Sequence, residues 1–266
     1  MTTDNCRLCL EEAELQDSHL LPKALYRMIG RGSNRAHPDT VQLTYGSQRK
    51  SSEQARRPLL CRPCEQRLST NGEEWMLGQC FRGQGRFRLR ATLRQGCALS
   101  GADTEAYSGS EEQVARLAYF CLSVVWRASL CDWICRGERY EQIELGRYQN
   151  EIRRYLKGDT DVPGRIGVMV MLSGLDRPRL EMCLPLSYRE DSYHCYRFHI
   201  PGLTFVATVG GRDSQMGDRI SVLEPPHPIL VSNLGDRKAQ NEQMALLGRT
   251  PPLGFQAPLV EGTEKA

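Results

Sequence analysis

Two Cys-x-x-Cys pairs, Cys6-Arg-Leu-Cys9 and Cys61-Arg-Pro-Cys64, carry the strongest chemical signal in this sequence. A Cys-x-x-Cys turn aims two thiolates at one point. Two such turns complete the four-sulfur tetrahedron that Zn²⁺ takes in structural sites, so Cys6, Cys9, Cys61 and Cys64 are the expected zinc ligands. Arg7, Arg62 and Pro63 lie inside the turns, which suits a metal site better than four reduced core cysteines. Between the pairs stands Ser18-His19-Leu-Leu-Pro22, and Glu65 follows Cys64 directly. Imidazole can take a proton from water near pH 7, and a carboxylate can hold a divalent cation. Hydrolytic chemistry is open to these residues if the fold gathers them. A carboxylate in the first turn of a helix is also favoured by the helix dipole alone, so Glu65 has a structural explanation as well.

This order of Cys pair, His-x-x-Pro and Leu-Cys-x-x-Cys resembles the zinc-containing branch of the HNH (ββα-metal) endonucleases over residues 4–78. The resemblance implies that His19 stands at the general base and Pro22 at the usual proline. It puts Ser18 in the place of the family's Asp. Glu65 falls where the family most often has an Asn or His ligand to a catalytic Mg²⁺ or Mn²⁺. It further implies phosphodiester hydrolysis, nucleic acid (DNA foremost) as partner, and a role in bacterial or phage DNA defence. The chain departs from the family at Ser18, whose neutral hydroxyl compensates little cation charge. It departs again in the long insertion between Pro22 and Cys61. The alternative is a catalytically inactive zinc module that binds nucleic acid or a protein partner.

The elements that must position these groups follow from pattern. A short strand is expected through Leu15–Leu20, then a helix opened by Pro22. Val41, Leu43 and Tyr45 alternate, predicting a strand over Thr40–Tyr45 in an otherwise polar stretch rich in arginine. Cys64 opens a helix interrupted at Asn71-Gly72, with Glu73 and Glu74 as further ligand candidates. Phe81–Arg90 reads as a strand with Arg86, Arg88 and Arg90 on one face. Those three and the Arg56-Arg57 pair are the expected contacts to phosphates, since guanidinium forks grip phosphate oxygens in pairs.

Residues 97–110 read as a linker. Ser110 is an expected N-cap for a strongly apolar helix over Val114–Arg136, and a second helix is expected over Tyr140–Leu156, stopping at Lys157-Gly158. Four strand-like runs follow, Ile166–Leu172, Leu180–Leu186, Tyr193–Ile200 and Leu203–Val209, the last two joined as a hairpin. The expected fold class is α+β: a zinc-stabilised ββα module over 1–96, a helix-plus-antiparallel-sheet domain over 97–248, and a disordered tail over 249–266. A protein partner or regulatory ligand is an expectation for the second domain.

Composition bounds the setting. Residues 1–100 hold 16 Lys+Arg against 10 Asp+Glu, a balance of +6, within a chain of net charge +3. A basic first third suits a polyanion-binding module. Eleven cysteines and a polar N-terminus without signal-peptide pattern fit a reducing cytoplasm with metal-bound and free thiols. The apolar run Leu117–Leu130 is broken by Arg127 and Ser129, which reads as a buried helix and not a membrane span.

Overall fold

The computed structural model describes residues 2–32, 40–44, 47–51, 54–82, 86–93, 96–98, 104–135, 138–175, 178, 180–190, 193–210, 221–223, 225 and 227–232. Strand β1 (Thr2–Asn5) turns through the first cysteine pair and returns as β2 (Glu12–His19), with Thr2 opposite Leu15. Leu15 and Ser18 of β2 are buried while Glu14 and Asp17 are exposed. Pro22 then opens α1 (Lys23–Gly32), its carbonyl accepting the Leu25 N–H at 2.9 Å. Leu21 and Leu25 are fully buried, as their helical spacing predicts.

The expected strand at Thr40 is present as β3 (Thr40–Thr44), and its partner β4 (Ser47–Ser51) was hidden in polar sequence. β5 (Arg56–Cys61) pairs antiparallel with β2 and completes the order β1-β2-β5. The chain passes at once into α2 (Arg62–Leu68), with Cys61 at its N-cap and Pro63 in its first turn. Asn71-Gly72 does not break this helix. A π-helical turn, Ser69–Glu73, carries it into α3 (Glu74–Gln79). A Cβ on Gly72 would stand 3.2 Å from Phe120 Cα, so the glycine serves close packing of two helices.

The expected arginine strand over Phe81–Arg90 is not formed. Phe81 and Phe87 make a single bridge, and α4 (Arg88–Thr92) follows. Phe81, Phe87 and Leu89 are buried, and these apolar anchors set the path of the segment. Arg86 and Arg88 are exposed, whereas Arg90 Nη1 donates to the Leu175 carbonyl at 2.8 Å.

The expected linker contains two strands, β6 (Gly96–Ala98) and β7 (Thr104–Ser108). Ser110 caps α5 (Glu111–Ala128) as expected: its Oγ accepts the Gln113 N–H while the Gln113 side chain bonds back to the Ser110 amide. The helix stops at Ala128, short of the expected Arg136. β8 (Trp133–Cys135) and β9 (Glu138–Tyr140) form a hairpin there, with Trp133 buried. The second helix is correspondingly shorter, α6 (Tyr148–Lys157), and ends at the expected Lys157-Gly158 stop.

The rest is strand: β10 (Ile166–Ser173), β11 (Cys183–Glu190), β12 (Tyr193–Ile200), β13 (Leu203–Gly210) and β14 (Pro228–Ser232). β12 and β13 form the expected hairpin, with Gly202 at φ +79° in the turn. β11 begins three residues later than the expected Leu180. The seven strands run in the order β11-β12-β13-β10-β14-β7-β6, all antiparallel except the parallel β10–β14 pair. The long helix α5 lies on this sheet through Phe120, whose ring meets Phe198 at 6.0 Å and Phe205 at 5.4 Å.

A continuous buried core runs from Cys6 and Leu8 through Phe120 and Trp126 to Phe205 and Ile229. The architecture is mixed α+β with a four-cysteine cluster near the N-terminus. Among the described residues, no helix is long and apolar enough to cross a membrane. The expected tail, 249–266, lies outside the described residues.

Candidate metal centre

The first cysteine pair sits in a tight turn between β1 and β2. The Cys6 amide donates to the Glu11 carbonyl at 2.9 Å, and the Leu10 amide donates to the Cys6 carbonyl at 2.8 Å. Leu10 takes φ 69°, a left-handed conformation that closes the turn. Leu8 is fully buried and pins the turn from inside. The second pair straddles the β5–α2 junction, where the helix's first turn brings Cys64 back toward Cys61.

The four Sγ atoms lie within 4.8 Å of one another, and Cys9 Sγ stands 3.8 Å from Cys61 Sγ. Zn–S bonds of about 2.3 Å in a tetrahedron put sulfurs about 3.8 Å apart. The cluster therefore fits a tetrahedral thiophilic cation. Two of its thiols, Cys61 and Cys64, resist ionisation without one. Burial raises Cys64, and contact with Cys61 and Cys6 adds to the rise. Burial would raise Cys6 as well, but backbone amides of Cys61, Cys9 and Leu8 outweigh it and hold this thiol low. One of these bonds is direct, the Cys61 N–H donating to Cys6 Sγ at 3.3 Å. Outer N–H groups of this kind orient a ligand sulfur and stabilise its charge.

The cysteine cluster abuts a second group of residues. Ser18 is buried on β2, where its hydroxyl donates to the Gln16 carbonyl at 3.5 Å, and it lies close enough to the Glu65 carboxylate on α2 to act on its charge. Burial raises the Glu65 carboxyl above the usual carboxylate range; Arg127 and Ser18 oppose this, while Glu73 and Asp17 reinforce it. Glu65 Oε1 is buried and finds no hydrogen-bond partner. That orphaned oxygen suits a cation or an ordered water, which is the fit a divalent metal here would need.

His19 is the next residue along β2 and is half-buried. Gln54 lies beside its ring, and Asp17, Lys23 and Arg56 are its charged neighbours. Burial lowers its imidazole below the ordinary value, with Gln54 and Asp17 partly opposing. The ring is therefore neutral at pH 7. Ser18 and His19 thus stand at the end of β2, and Ser18 lies in electrostatic reach of Glu65.

Sequence reasoning passed over Arg127. It projects from α5, is 1% exposed, and ties three segments: Nε donates to the Ser123 carbonyl at 3.3 Å, Nη1 to the His19 carbonyl at 2.8 Å, and Nη2 to Glu73 Oε1. A lone arginine inside an otherwise apolar helix was the available signal, since a buried guanidinium requires partners. Glu73 is hence committed to an ion pair, and Glu74 is exposed and accepts from Ser69.

The arginines expected to meet phosphate are spread apart. Arg56 pairs with Asp17 at 2.7 Å, and Arg57, one residue on, lies near Arg7 and Cys131. Cys131 precedes the β8–β9 hairpin, and its thiol is raised by burial. No family model, curated protein or solved structure matches this chain.

Proposed function

We propose that residues 2–79 form an HNH-type, zinc-organised module that hydrolyses nucleic-acid phosphodiester bonds. The observation that carries this reading is the buried, unpartnered Oε1 of Glu65, which follows Cys64 in α2 next to the strand pair that bears Ser18 and His19. Two antiparallel strands followed by a helix, pinned at the strand–helix corner by four cysteines, is the arrangement such a module needs. Zinc is the thiophilic ion this set of ligands suits, and its part is structural: a finger this small holds two facing side chains poorly by burial alone.

In this reading neutral His19 takes a proton from the attacking water. Glu65, with Ser18 and its orphaned Oε1, would hold Mg²⁺ or Mn²⁺. A divalent cation supplies positive charge to the phosphate and to the departing 3′ oxygen. Asp17 beside His19 favours the imidazolium formed by proton transfer.

A second reading rests on Arg127. Its guanidinium already acts on Glu65 as a nearby positive charge, and Ser18 contributes no negative charge. This favours a zinc module that binds nucleic acid or a protein partner without cleaving. Plasmid nicking by zinc-loaded protein in Mg²⁺, Mn²⁺ or EDTA separates the two, beside His19→Ala and Glu65→Gln. Cleavage that needs the divalent ion and disappears in both variants at unchanged zinc content supports the nuclease. Inert wild type that still binds DNA supports the second reading.

A further inference from the structure

We infer that the nucleic-acid contact surface is an arginine seam between the zinc turn and α6, and not the Arg86–Arg90 segment. The inference rests on the proposed nucleic-acid partner and deepens it by naming the face that binds.

Four arginines from separate segments converge on this flank. Arg153 of α6 donates to the Leu8 carbonyl at 2.9 Å, inside the first cysteine turn. Arg7, the residue before Leu8, is exposed and lies with Arg57 in electrostatic range of Cys131. Toward the other end of α6, Arg67 is exposed, and its Nη1 would come within 3.3 Å of a Cβ on Gly158. The order Arg57, Arg7, Arg153, Arg67 therefore runs from β5 across the zinc turn and along α6 past α2. The acids on this flank are already paired: Asp132, beside Cys131, with Arg139 at 2.7 Å, and Asp159, next to Gly158, with Lys157 at 3.2 Å.

Four thiolates around one Zn²⁺ carry a net charge near −2, so a structural reading would make these arginines counterions to the centre. Geometry argues for more than that. Arg7 and Arg67 extend into solvent, where a counterion role has little effect across high dielectric. A row of separate guanidinium groups suits successive phosphates along a strand better than one compact anion.

The test is fluorescence anisotropy with a labelled 20-base-pair duplex and full-length, zinc-loaded protein across a KCl series without divalent metal. Arg7→Gln/Arg57→Gln/Arg67→Gln should weaken binding at least tenfold and reduce the salt slope by about 2 to 3, roughly 0.9 for each phosphate no longer neutralised. Arg86→Gln/Arg88→Gln, from exposed positions off the seam, should move the affinity less than threefold. Wild-type affinity and slope in the triple variant would overturn the inference. So would an equal loss in the double variant, displacement of duplex by polyglutamate at equal charge, or loss of zinc from the triple variant. Binding that follows the seam in a protein that nicks no plasmid would remove the nuclease reading and leave the seam standing. Absence of any duplex binding by wild type would remove the seam, with cleavage of single strands still to be judged by the nicking and digestion assays.

Discussion

Arg127 Nη1 reaches from the long helix to the carbonyl of His19 at 2.8 Å, so the end of β2 is held by a residue more than a hundred positions away. The same guanidinium pairs with Glu73 in the π-helical turn. Strand, turn and helix are locked by one side chain that is 1% exposed. Arg127→Met leaves Glu73 and the His19 carbonyl without their donor. We expect about 3–5 kcal/mol of destabilisation in urea unfolding. Adding Glu73→Gln should recover part of this, because the stranded charge is removed. An additive double variant would show that the pair is not coupled.

Metal removal gives the second expectation. Purified protein should contain one thiophilic metal per chain. Co²⁺ exchange should give the visible absorption of a tetrahedral thiolate site, and Cys9→Ser should lose it. Chelation should unfold the β1-β2-β5 sheet, read as lost hydrogen-exchange protection at Cys61, whose amide is committed to Cys6 Sγ. Retained protection at that amide without metal would show that packing alone holds the turn.

The two glycines of the π–α3 helix should respond in opposite directions. A Cβ at Gly72 meets the Phe120 backbone at 3.2 Å and Tyr119 Cδ1 at 3.2 Å, so Gly72→Ala should cost about 1–3 kcal/mol. At Gly78 nothing lies within 4 Å of the place an added methyl would take, and Gly78→Ala should gain about 0.4–1 kcal/mol by restricting the unfolded chain. Thermal melts of both variants decide this.

Acid should weaken the sheet through His199. Burial, with Arg197 nearby, lowers this histidine to about 4 from an ordinary 6.5. Above pH 6.5 both folded and unfolded forms are neutral and stability is intact. As pH falls toward 4 the unfolded chain takes the proton first, so stability is lost through that window. A half-buried group sustains only part of the full effect, and we expect about 1 kcal/mol between pH 7 and pH 5. In His199→Gln the difference in urea midpoint between those pH values should shrink. An unchanged difference would assign the acid response to other groups.

How much of this could be read from the chain follows the distance over which each signal acts. The Cys-x-x-Cys turns, the Ser110 N-cap and the β12–β13 hairpin are set by residues within a few positions of one another, and all three stand as read. The strand expected over Phe81–Arg90 failed because Phe87 and Leu89 alternate as they would in a strand, yet Phe81 and Phe87 pack at Gly202, far along the chain. The expected α5 overran its true end for a similar reason. Trp133 and Cys135 continue the apolar spacing, but the Ile143 amide satisfies the Ala128 carbonyl and the chain turns away. β7 has little apolar pattern of its own, and β14 is a five-residue apolar run in a Pro-rich stretch; the two pair with each other, Ser108 opposite Pro228. Arg127 was visible as an oddity, although nothing nearby in sequence told that Glu73 and His19 were its partners.

The placement of β14 between β10 and β7 sets an order of events during synthesis. The four cysteines have all left the ribosome soon after residue 64, so the metal can close its turn while most of the polypeptide is still unmade. The sheet cannot do likewise. Its two parts, β10–β13 on one side and β6–β7 on the other, remain unjoined until residues 228–232 emerge and slot between them. A nascent chain stalled before that point would carry a metallated head and two open strand edges. For this protein the interval between metal capture and release of the last strand is when chaperone protection matters most.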